Sequence, residues 1–242
     1  DTAAMMERYG ISCVVLRGFY QSEIEDFVSH CTIPVINGLS EGSHPMQVLS
    51  DLFTIWEANG RQEDLKIANL ADRNNVANSL IIGGSKGNMD IAIASPGGYT
   101  PAREIVERGM QYSNITITGD VDEAVKDADI IYTDVFISMN EQDDEEKKNK
   151  LSRYRVTKEV MAKAKPDALF MHCMPVHRGE EVSADVVDGP QSIVYTQAEN
   201  RLHLNKAVLT LLLSQCSFLN KPSAPQDLRG APFLLSSFGD DL

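Results

Sequence analysis

Short runs rich in valine, isoleucine and alanine alternate with helical patterns along this chain, and no other feature limits its possible folds as strongly. The runs predict buried strands at residues 13–19, 33–38, 66–72, 89–96, 115–120, 129–135, 168–175 and 192–197. Helical patterns lie between them at residues 43–57, 75–87, 101–111, 121–127, 157–164 and 199–213. Pro101 is suited to a first helical turn. Such regular alternation predicts a doubly wound α/β fold, in which ligands bind beyond the carboxyl ends of parallel strands.

A polar stretch, EANGRQEDL at residues 57–65, is typical of a domain boundary. Two predicted strands precede it, and two parallel strands leave their faces and edges uncovered, so we expect the first domain to be incomplete. The expected segments are an incomplete first domain at residues 1–58, a second domain at 59–198, a helix returning to the first domain at 199–216, and a tail at 217–242. The tail is a candidate docking extension.

Composition excludes several classes of function. The chain has 242 residues and a formal net charge of -13, which would repel nucleic-acid phosphates and anionic membranes. Its longest apolar run, AVLTLLL, is far shorter than the roughly 18 to 20 residues of a membrane span. Four scattered cysteines match neither a zinc site nor a disulfide scaffold, so we predict a reduced compartment.

Polar residues collect where the first two predicted strands end. Arg17 directly follows the run CVVL and by itself is an ordinary solvated charge. In the string SHPMQ, Ser43 is placed to cap a helix, and the spacing of His44 and Gln47 projects both from its first turn. A helix start favours an anionic ligand, but a capping serine with two surface polar residues explains the same pattern.

Two later strand ends carry amide, carboxyl and hydroxyl groups. In the string ADRNNVANS, Asn74 is placed to cap the next helix and Asn75 to point outward. In YTDVFISMN, Asp134 ends an apolar strand and Ser138 follows four residues later. Each is an ordinary turn residue when taken alone, and their position at strand ends makes them candidates for ligand binding.

The string FMHCMPVHRGEEV puts Cys173 at the end of another predicted strand. A free cysteine is more often an inert core thiol than a functional group. His172 points to the opposite strand face, so its spacing does not make it a catalytic partner. Arg178, and Arg201 in QAENRLH, are individually weak signals. We expect Cys173 and Asp134 to face one cleft from neighbouring or nearby strands.

Taken together, these strings resemble one family. The segments PVINGLSEGSHPMQVLSDLFTIWE, DRNNVANSL, YTDVFISM, FMHCMPVHRGEEV and DGPQSIVYTQAENRLHLNKAVL follow the same order as in ornithine carbamoyltransferases. The resemblance runs from residue 1 to about residue 213. It implies a carbamoyltransferase-like fold of two α/β domains, the first binding carbamoyl phosphate and the second ornithine.

The resemblance also implies a reaction: a carbamoyl group passes from carbamoyl phosphate to the δ-amine of ornithine, giving citrulline and phosphate without a metal or other cofactor. By motif matching, carbamoyl phosphate would be held by Arg17, His44, Gln47 and Arg201. The amino-acid end of ornithine would be held by Asn75, Asp134, Ser138 and Met139. Cys173 would lie beside the attacking amine. The residues expected to act in catalysis are Cys173, Asp134, His44 and Arg201.

The sequence departs from the family pattern at three places. The phosphate-binding Ser-x-Arg-Thr segment is not found, because none of the arginines in these 242 residues is followed by threonine. Arg73 replaces the glycine of Asp-Gly-Asn-Asn, and Asn140 replaces the glycine of Ser-Met-Gly. The first change puts a long cation in place of the glycine of a tight turn after Asp72, and the second predicts a stiffer loop over ornithine.

Three hypotheses follow from these departures. We expect the chain as written to be inactive and to serve as a structural subunit of a larger assembly, mitochondrial or cytoplasmic and not secreted. In that assembly a protein partner would cover the incomplete first domain, although the homotrimer of the family is another arrangement. The alternatives are an active transferase that includes a segment absent from this sequence, and a binding module that senses an amino acid.

Overall fold

The computed structural model describes residues 1–137, 144–219 and 234–235, which form an α/β protein with two parallel sheets. The strands are β1 (Val14–Arg17), β2 (Val35–Leu39), β3 (Lys66–Leu70), β4 (Asp90–Ala94), β5 (Ile115–Thr118), β6 (Ile130–Thr133), β7 (Leu169–His172) and β8 (Leu234–Leu235). The helices are α1 (Thr2–Arg8), α2 (Gln21–Ser29), α3 (Pro45–Asn59), α4 (Asn75–Lys86), α5 (Arg103–Gly109), α6 (Val121–Val125), α7 (Glu145–Leu151), α8 (Lys158–Met161), α9 (Ala184–Val187) and α10 (Val194–Leu219).

The larger sheet has five strands in the order β5-β4-β3-β6-β7, all parallel. Helices cover both of its faces, as the continuous apolar character of the strands requires. One face packs into a cluster that includes Phe170 and Val187, and the other into a cluster that includes Ile55 of α3, Ile81 of α4 and Ile93 of β4. The predicted doubly wound fold is therefore confirmed.

The smaller sheet has the order β1-β2-β8. Successive residues of β2 face opposite sides, so Val35 packs against α1 and α2 while Ile36 packs with Met46 of α3 and Leu212 of α10. The sequence predicts two strands here and an open edge. Leu234–Leu235 from the tail pairs in parallel with β2, so the chain itself supplies a third strand, while β1 stays at the edge of the sheet.

Two long helices, α3 and α10, join the parts of the molecule. The α3 helix begins with proline at its first turn and ends at Gly60 in the left-handed conformation (φ 69°), the usual sequence signals for both ends. Its Ile55 contributes to the core of the larger sheet, whereas its Met46 contributes to the core of the smaller one. Among the described helices, none combines the length and apolar character needed to cross a bilayer.

Three local predictions were wrong. The run at residues 192–197 is not a strand: a single bridge joins Ser192 to Phe170, and α10 begins at Val194, because helical bonding starts with the Gln197 amide donating to Ile193. Pro101 precedes α5, which begins at Arg103. The cap position of α3 is occupied by His44 and not Ser43, whose hydroxyl oxygen accepts a hydrogen bond from Asn37.

Four helices, α1, α2, α7 and α9, lie outside the predicted helical patterns. They are only four to nine residues long, and such short segments carry weak periodicity. The α7 helix has a local signal that could have revealed it, since Asp144 caps it by accepting hydrogen bonds from the amides of Glu146 and Lys147.

Candidate active site

A cleft of about 480 Å³ lies where the carboxyl ends of strands from both sheets meet. Within the larger sheet, the chain order reverses direction between β3 and β6, and ligands bind at such reversals in open α/β sheets. The described residues that line the cleft include Arg17, His44, Gln47, Arg73, Asn75, Asp134, Cys173 and Arg201.

Asp134 and Cys173 follow the neighbouring strands β6 and β7 and face this cleft, as predicted. The Cys173 thiol donates a hydrogen bond to Asp134 Oδ1 at 2.9 Å, and the amide of Asn74 donates to Asp134 Oδ2 at 2.6 Å. Asn74 also caps α4, as predicted, because its side-chain oxygen accepts from the backbone amide of Ala77. The turn after β3 and the end of β6 are thereby fixed to each other.

Burial and the adjacent Asp134 carboxylate raise the pKa of the Cys173 thiol well above its usual range. The group is therefore a neutral hydrogen-bond donor at physiological pH. Because thiolates and not thiols are the nucleophilic form of cysteine, this geometry favours a binding role for Cys173 over covalent catalysis.

His172 does not line the cleft but supports the turn that carries Cys173. It is fully buried, and one ring nitrogen, Nδ1, accepts a hydrogen bond from the backbone amide of Met174 at 2.9 Å. Its Nε2 lies 3.3 Å from a carboxylate oxygen of Glu181, which is also fully buried. The imidazole thus helps to position the turn.

His44 begins α3, where its backbone amide donates to the Ser79 hydroxyl at 2.8 Å. Burial, together with the positive charges of Arg201 and Arg17, lowers the pKa of its imidazole to about 3. The ring is therefore neutral, with one nitrogen carrying a hydrogen that can polarise a bound carbonyl oxygen. Arg17, at the end of β1, is exposed to solvent beside it.

Gln47 and Arg201 meet across the cleft, since Arg201 Nη1 donates to the side-chain oxygen of Gln47. Behind them lies Asp51, which is fully buried and accepts hydrogen bonds from Gln47, Gln197 and Tyr132. Burial raises the pKa of the Asp51 carboxyl to about 6.

The sequence interpretation missed Asp51, Tyr132 and Gln197. One signal could have found Asp51: it is the only charged residue between Pro45 and Trp56. A lone carboxyl group in an apolar helix demands partners, because an unpaired buried charge is strongly unfavourable.

The remaining predicted residues have different outcomes. Asn75 is half-buried at the start of α4, where its amide donates to the Ser40 carbonyl at 2.6 Å. Arg73 is exposed and lines the cleft, and its φ is not positive, so this turn accommodates an arginine in place of the family's glycine. Ser138 and Met139 lie outside the described residues.

Two groups of side chains in the described residues could offer atoms to a metal ion. They are Asp134 with His172 and Cys173, and His177 with Glu180 and Glu181, with ligand atoms within 4.8 Å of each other in each group. In the first group, the thiol and the His172 ring already take part in hydrogen bonds to neighbouring groups. The second group lacks any further feature that points to an ion, so we assign no metal to either.

Comparison with protein families defines the class of this chain. The model of the aspartate/ornithine carbamoyltransferase Asp/Orn binding domain matches residues 63–212, and that of the carbamoyl-P binding domain matches residues 1–57. The two matches follow each other along the chain. The fold and the cleft therefore define a protein of the aspartate/ornithine carbamoyltransferase class.

Comparison with individual relatives shows which family within this class the chain belongs to. The chain is 47% identical over 218 residues to the ornithine carbamoyltransferase of Caldicellulosiruptor saccharolyticus, covering 88% of this chain and 70% of the relative. It is 44% identical to the anabolic enzyme of Pyrococcus furiosus, covering 90% and 71% of the two chains. The solved structure of the Pyrococcus furiosus enzyme superposes with a TM-score of 0.85, covering 88% of this chain and 70% of that one. The structure of the Gloeobacter violaceus enzyme, at 38% identity, superposes with a TM-score of 0.82, covering 88% of this chain and 73% of that one. The chain belongs to the ornithine carbamoyltransferase family.

Proposed function

We propose that the cleft transfers a carbamoyl group from carbamoyl phosphate to the δ-amine of ornithine. One observation carries the proposal: two groups of side chains line the same cleft. Arg17 and Arg201 belong to the first, the anion-binding group, and Asp134 and Asn75 belong to the second, the amino-acid group. The first group suits a phosphate, and the second suits the charged ammonium and carboxylate of an amino acid.

The residues divide the chemistry between them. The neutral δ-amine of ornithine attacks the carbonyl carbon of carbamoyl phosphate and forms a tetrahedral intermediate. A proton then passes from the amine nitrogen to the phosphate group, the bond from the carbon to the bridging phosphate oxygen breaks, and citrulline and hydrogen phosphate are formed. The neutral His44 ring and the guanidinium of Arg201 stabilise the negative charge that develops on the carbonyl oxygen. Cys173 lies beside the amine as a neutral donor. Binding both substrates in one cleft removes much of the entropic barrier.

The anion-binding group consists of Arg17, His44, Gln47 and Arg201, which all line the cleft. Each charge-assisted hydrogen bond to a phosphate contributes about 1.5 to 3 kcal/mol, so phosphate binding depends on how many of these donors reach the ligand. The amino-acid group lies in the same cleft and would by itself support a second candidate function, which is ornithine binding without turnover.

Calorimetry with ornithine, and with lysine as the analogue longer by one methylene, tests both candidates. We expect ornithine to bind more tightly than lysine. Citrulline formation then separates the two functions: slow but saturable turnover supports the transferase, and ornithine binding with no citrulline at any carbamoyl phosphate concentration supports the binding role. Equal or undetectable binding of the two amino acids would overturn both.

The smaller sheet supports one further proposal, a protein neighbour at β1. Strand β1 is the edge of that sheet, and its Val15 side chain is 59% exposed. Phe19 and Tyr20 continue the apolar surface beyond the strand at 44% and 51% exposure. An exposed edge with apolar side chains favours association, by a second copy or by a different protein. Sedimentation of the purified chain as a stable monomer would contradict this.

A further inference from the structure

The buried carboxyl group of Asp51 is separated from the cleft by a single side chain, that of Gln47. Its Oδ1 accepts from Gln47 Nε2 at 2.8 Å and from Gln197 Nε2 at 2.7 Å, and its Oδ2 accepts from the Tyr132 hydroxyl at 2.9 Å. These donors come from α3, α10 and β6. Asp51 is fully buried and does not line the cleft, so any effect on a ligand must pass through a neighbour.

Gln47 is that neighbour, because it contacts Asp51 with one end of its amide and faces the cleft with the other. An ionised carboxylate can only accept hydrogen bonds, so it holds the nitrogen end of the amide. The oxygen end is consequently turned toward Arg201, which donates to it. When Arg201 binds a ligand instead, the hydrogen bond to Asp51 still keeps the Gln47 amide in this orientation.

The orientation decides which ligand fits. An amide oxygen directed into the cleft accepts a hydrogen bond from the NH2 group of a carbamoyl phosphate, whereas the methyl group of acetyl phosphate, otherwise nearly the same shape, offers no donor. Sites built to form a hydrogen bond reject analogues that lack the partner, because a buried polar group is then left unpaired.

We infer that Asp51 is a positioning residue that makes the cleft selective for carbamoyl phosphate over acyl phosphates, by fixing the side-chain amide of Gln47 with its oxygen toward the ligand. The inference rests on the proposed function, since it assumes that this cleft takes carbamoyl phosphate. It assigns Asp51 no contact with the reacting atoms.

The test compares the dissociation constants of carbamoyl phosphate and acetyl phosphate by calorimetry in four proteins. In the unaltered chain we expect carbamoyl phosphate to bind about tenfold more tightly, the effect of one hydrogen bond. Asp51→Ala frees the amide and is expected to reduce this ratio to about one by weakening carbamoyl phosphate alone. Asp51→Asn keeps an acceptor for Gln47 and is expected to retain most of the ratio.

Thr54→Val is the matched control. Thr54 is buried on the same helix, and its hydroxyl accepts from Asn200 of α10 without contacting Gln47. If the role of Asp51 is purely structural, Asp51→Ala should weaken the binding of both ligands equally, or Thr54→Val should lower the ratio of the two dissociation constants as much as Asp51→Ala does. Either result would overturn the inference.

A ligand-free measurement separates this inference from the proposed function and does not require Asp51→Ala to fold. In nitrogen-15-labelled unaltered protein, we expect the side-chain amide hydrogens of Gln47 to exchange with solvent at least about tenfold more slowly than those of an exposed glutamine, because the carboxylate holds them. If neither phosphate ligand binds but exchange is slow, the proposed function fails and the positioning by Asp51 stands. Fast exchange in the folded chain would refute the positioning itself.

Discussion

The thiol of Cys173 and the carboxylate of Asp134 are joined by a hydrogen bond of 2.9 Å between the ends of two adjacent strands. The bond makes the cysteine a donor and leaves the second carboxylate oxygen to the amide of Asn74. Two roles that the sequence leaves open, core thiol and substrate neighbour, are thus combined: Cys173 is partly buried and still lines the cleft.

The first prediction concerns the reactivity of that thiol. Because burial and Asp134 raise the pKa of Cys173, only a small fraction is thiolate at pH 7.5. We expect iodoacetamide to alkylate Cys173 at least about tenfold more slowly than it alkylates glutathione. Mass spectrometry of the peptide that contains Cys173 gives the rate, and the urea-unfolded chain is the control. Alkylation in the folded chain as fast as in the unfolded one would contradict the assignment.

The second prediction concerns the charge of Asp134. Replacing it by asparagine removes a negative charge beside the expected position of an amino-acid ammonium group. A charge-assisted hydrogen bond contributes about 1.5 to 3 kcal/mol, so Asp134→Asn should weaken ornithine binding by about 10-fold to 100-fold. Asp144→Asn, which changes the cap of α7 and does not touch the cleft, is the control. Equal affinities of the two variants would remove Asp134 from the site.

Much of this site follows from the sequence, because residues at the carboxyl ends of parallel strands share one edge. Strand ends can be located from apolar runs, and so the positions of Arg17, Asp134 and Cys173 could be predicted. Cap chemistry is local as well, so the sequence predicts Asn74 as the cap of α4. Such features require only a few neighbouring residues.

Features that depend on partners distant in sequence could not be predicted. Asp51 is held by Gln197, 146 residues away, and by Tyr132, 81 residues away. Likewise, the β-branched run at residues 192–197 has strand character, but the larger sheet ends at β7 and the chain turns into α10. Local propensity is overridden wherever the tertiary surroundings supply different hydrogen-bond partners.

The third prediction follows from the neutral imidazole of His44. Its pKa is lowered from 6.5 to about 3 in the folded chain, so below pH 6.5 the unfolded state binds a proton that the folded state does not. Stability from this group is present above pH 6.5 and is lost as the pH falls. Relative to His44→Asn, the free energy of unfolding should drop by about 2 kcal/mol between pH 7 and pH 5. Urea titrations of both proteins at pH 7 and pH 5 measure the free energy of unfolding. An equal change with pH in the unaltered chain and in His44→Asn would contradict a neutral His44.

The fourth prediction concerns Asp51, whose contribution to the free energy of unfolding changes with pH in the opposite direction. Its pKa is raised from 3.8 to about 6, so between these values the folded state holds a proton that the unfolded state has lost. Its contribution to stability is therefore largest in acid and disappears as the pH rises past about 6. Relative to Asp51→Asn, the free energy of unfolding should fall by about 2 kcal/mol from pH 4 to pH 7. A difference that stays constant over this range would mean that Asp51 titrates normally.

The last prediction concerns Arg73, which stands where the family pattern has glycine. The neighbouring Asp72 forms a buried ion pair with Lys147 at 2.5 Å, while Arg73 is exposed and lines the cleft with Arg17 and Arg201. A third arginine raises the positive potential that an anionic ligand meets there. We expect Arg73→Gly to weaken carbamoyl phosphate binding by about 3-fold to 10-fold in dilute buffer, and by less as salt screens the charge.

Arg73→Lys separates charge from shape, since lysine keeps the cation and loses the planar guanidinium. If long-range attraction is what Arg73 supplies, the lysine variant retains most of the affinity and its salt dependence. If Arg73→Lys binds carbamoyl phosphate as weakly as Arg73→Gly does, Arg73 instead forms a direct two-point contact with the phosphate. Salt should then have little influence on the difference in affinity between the unaltered chain and the variants. Unchanged affinity in both variants at low salt would show that the arginine contributes nothing to ligand binding.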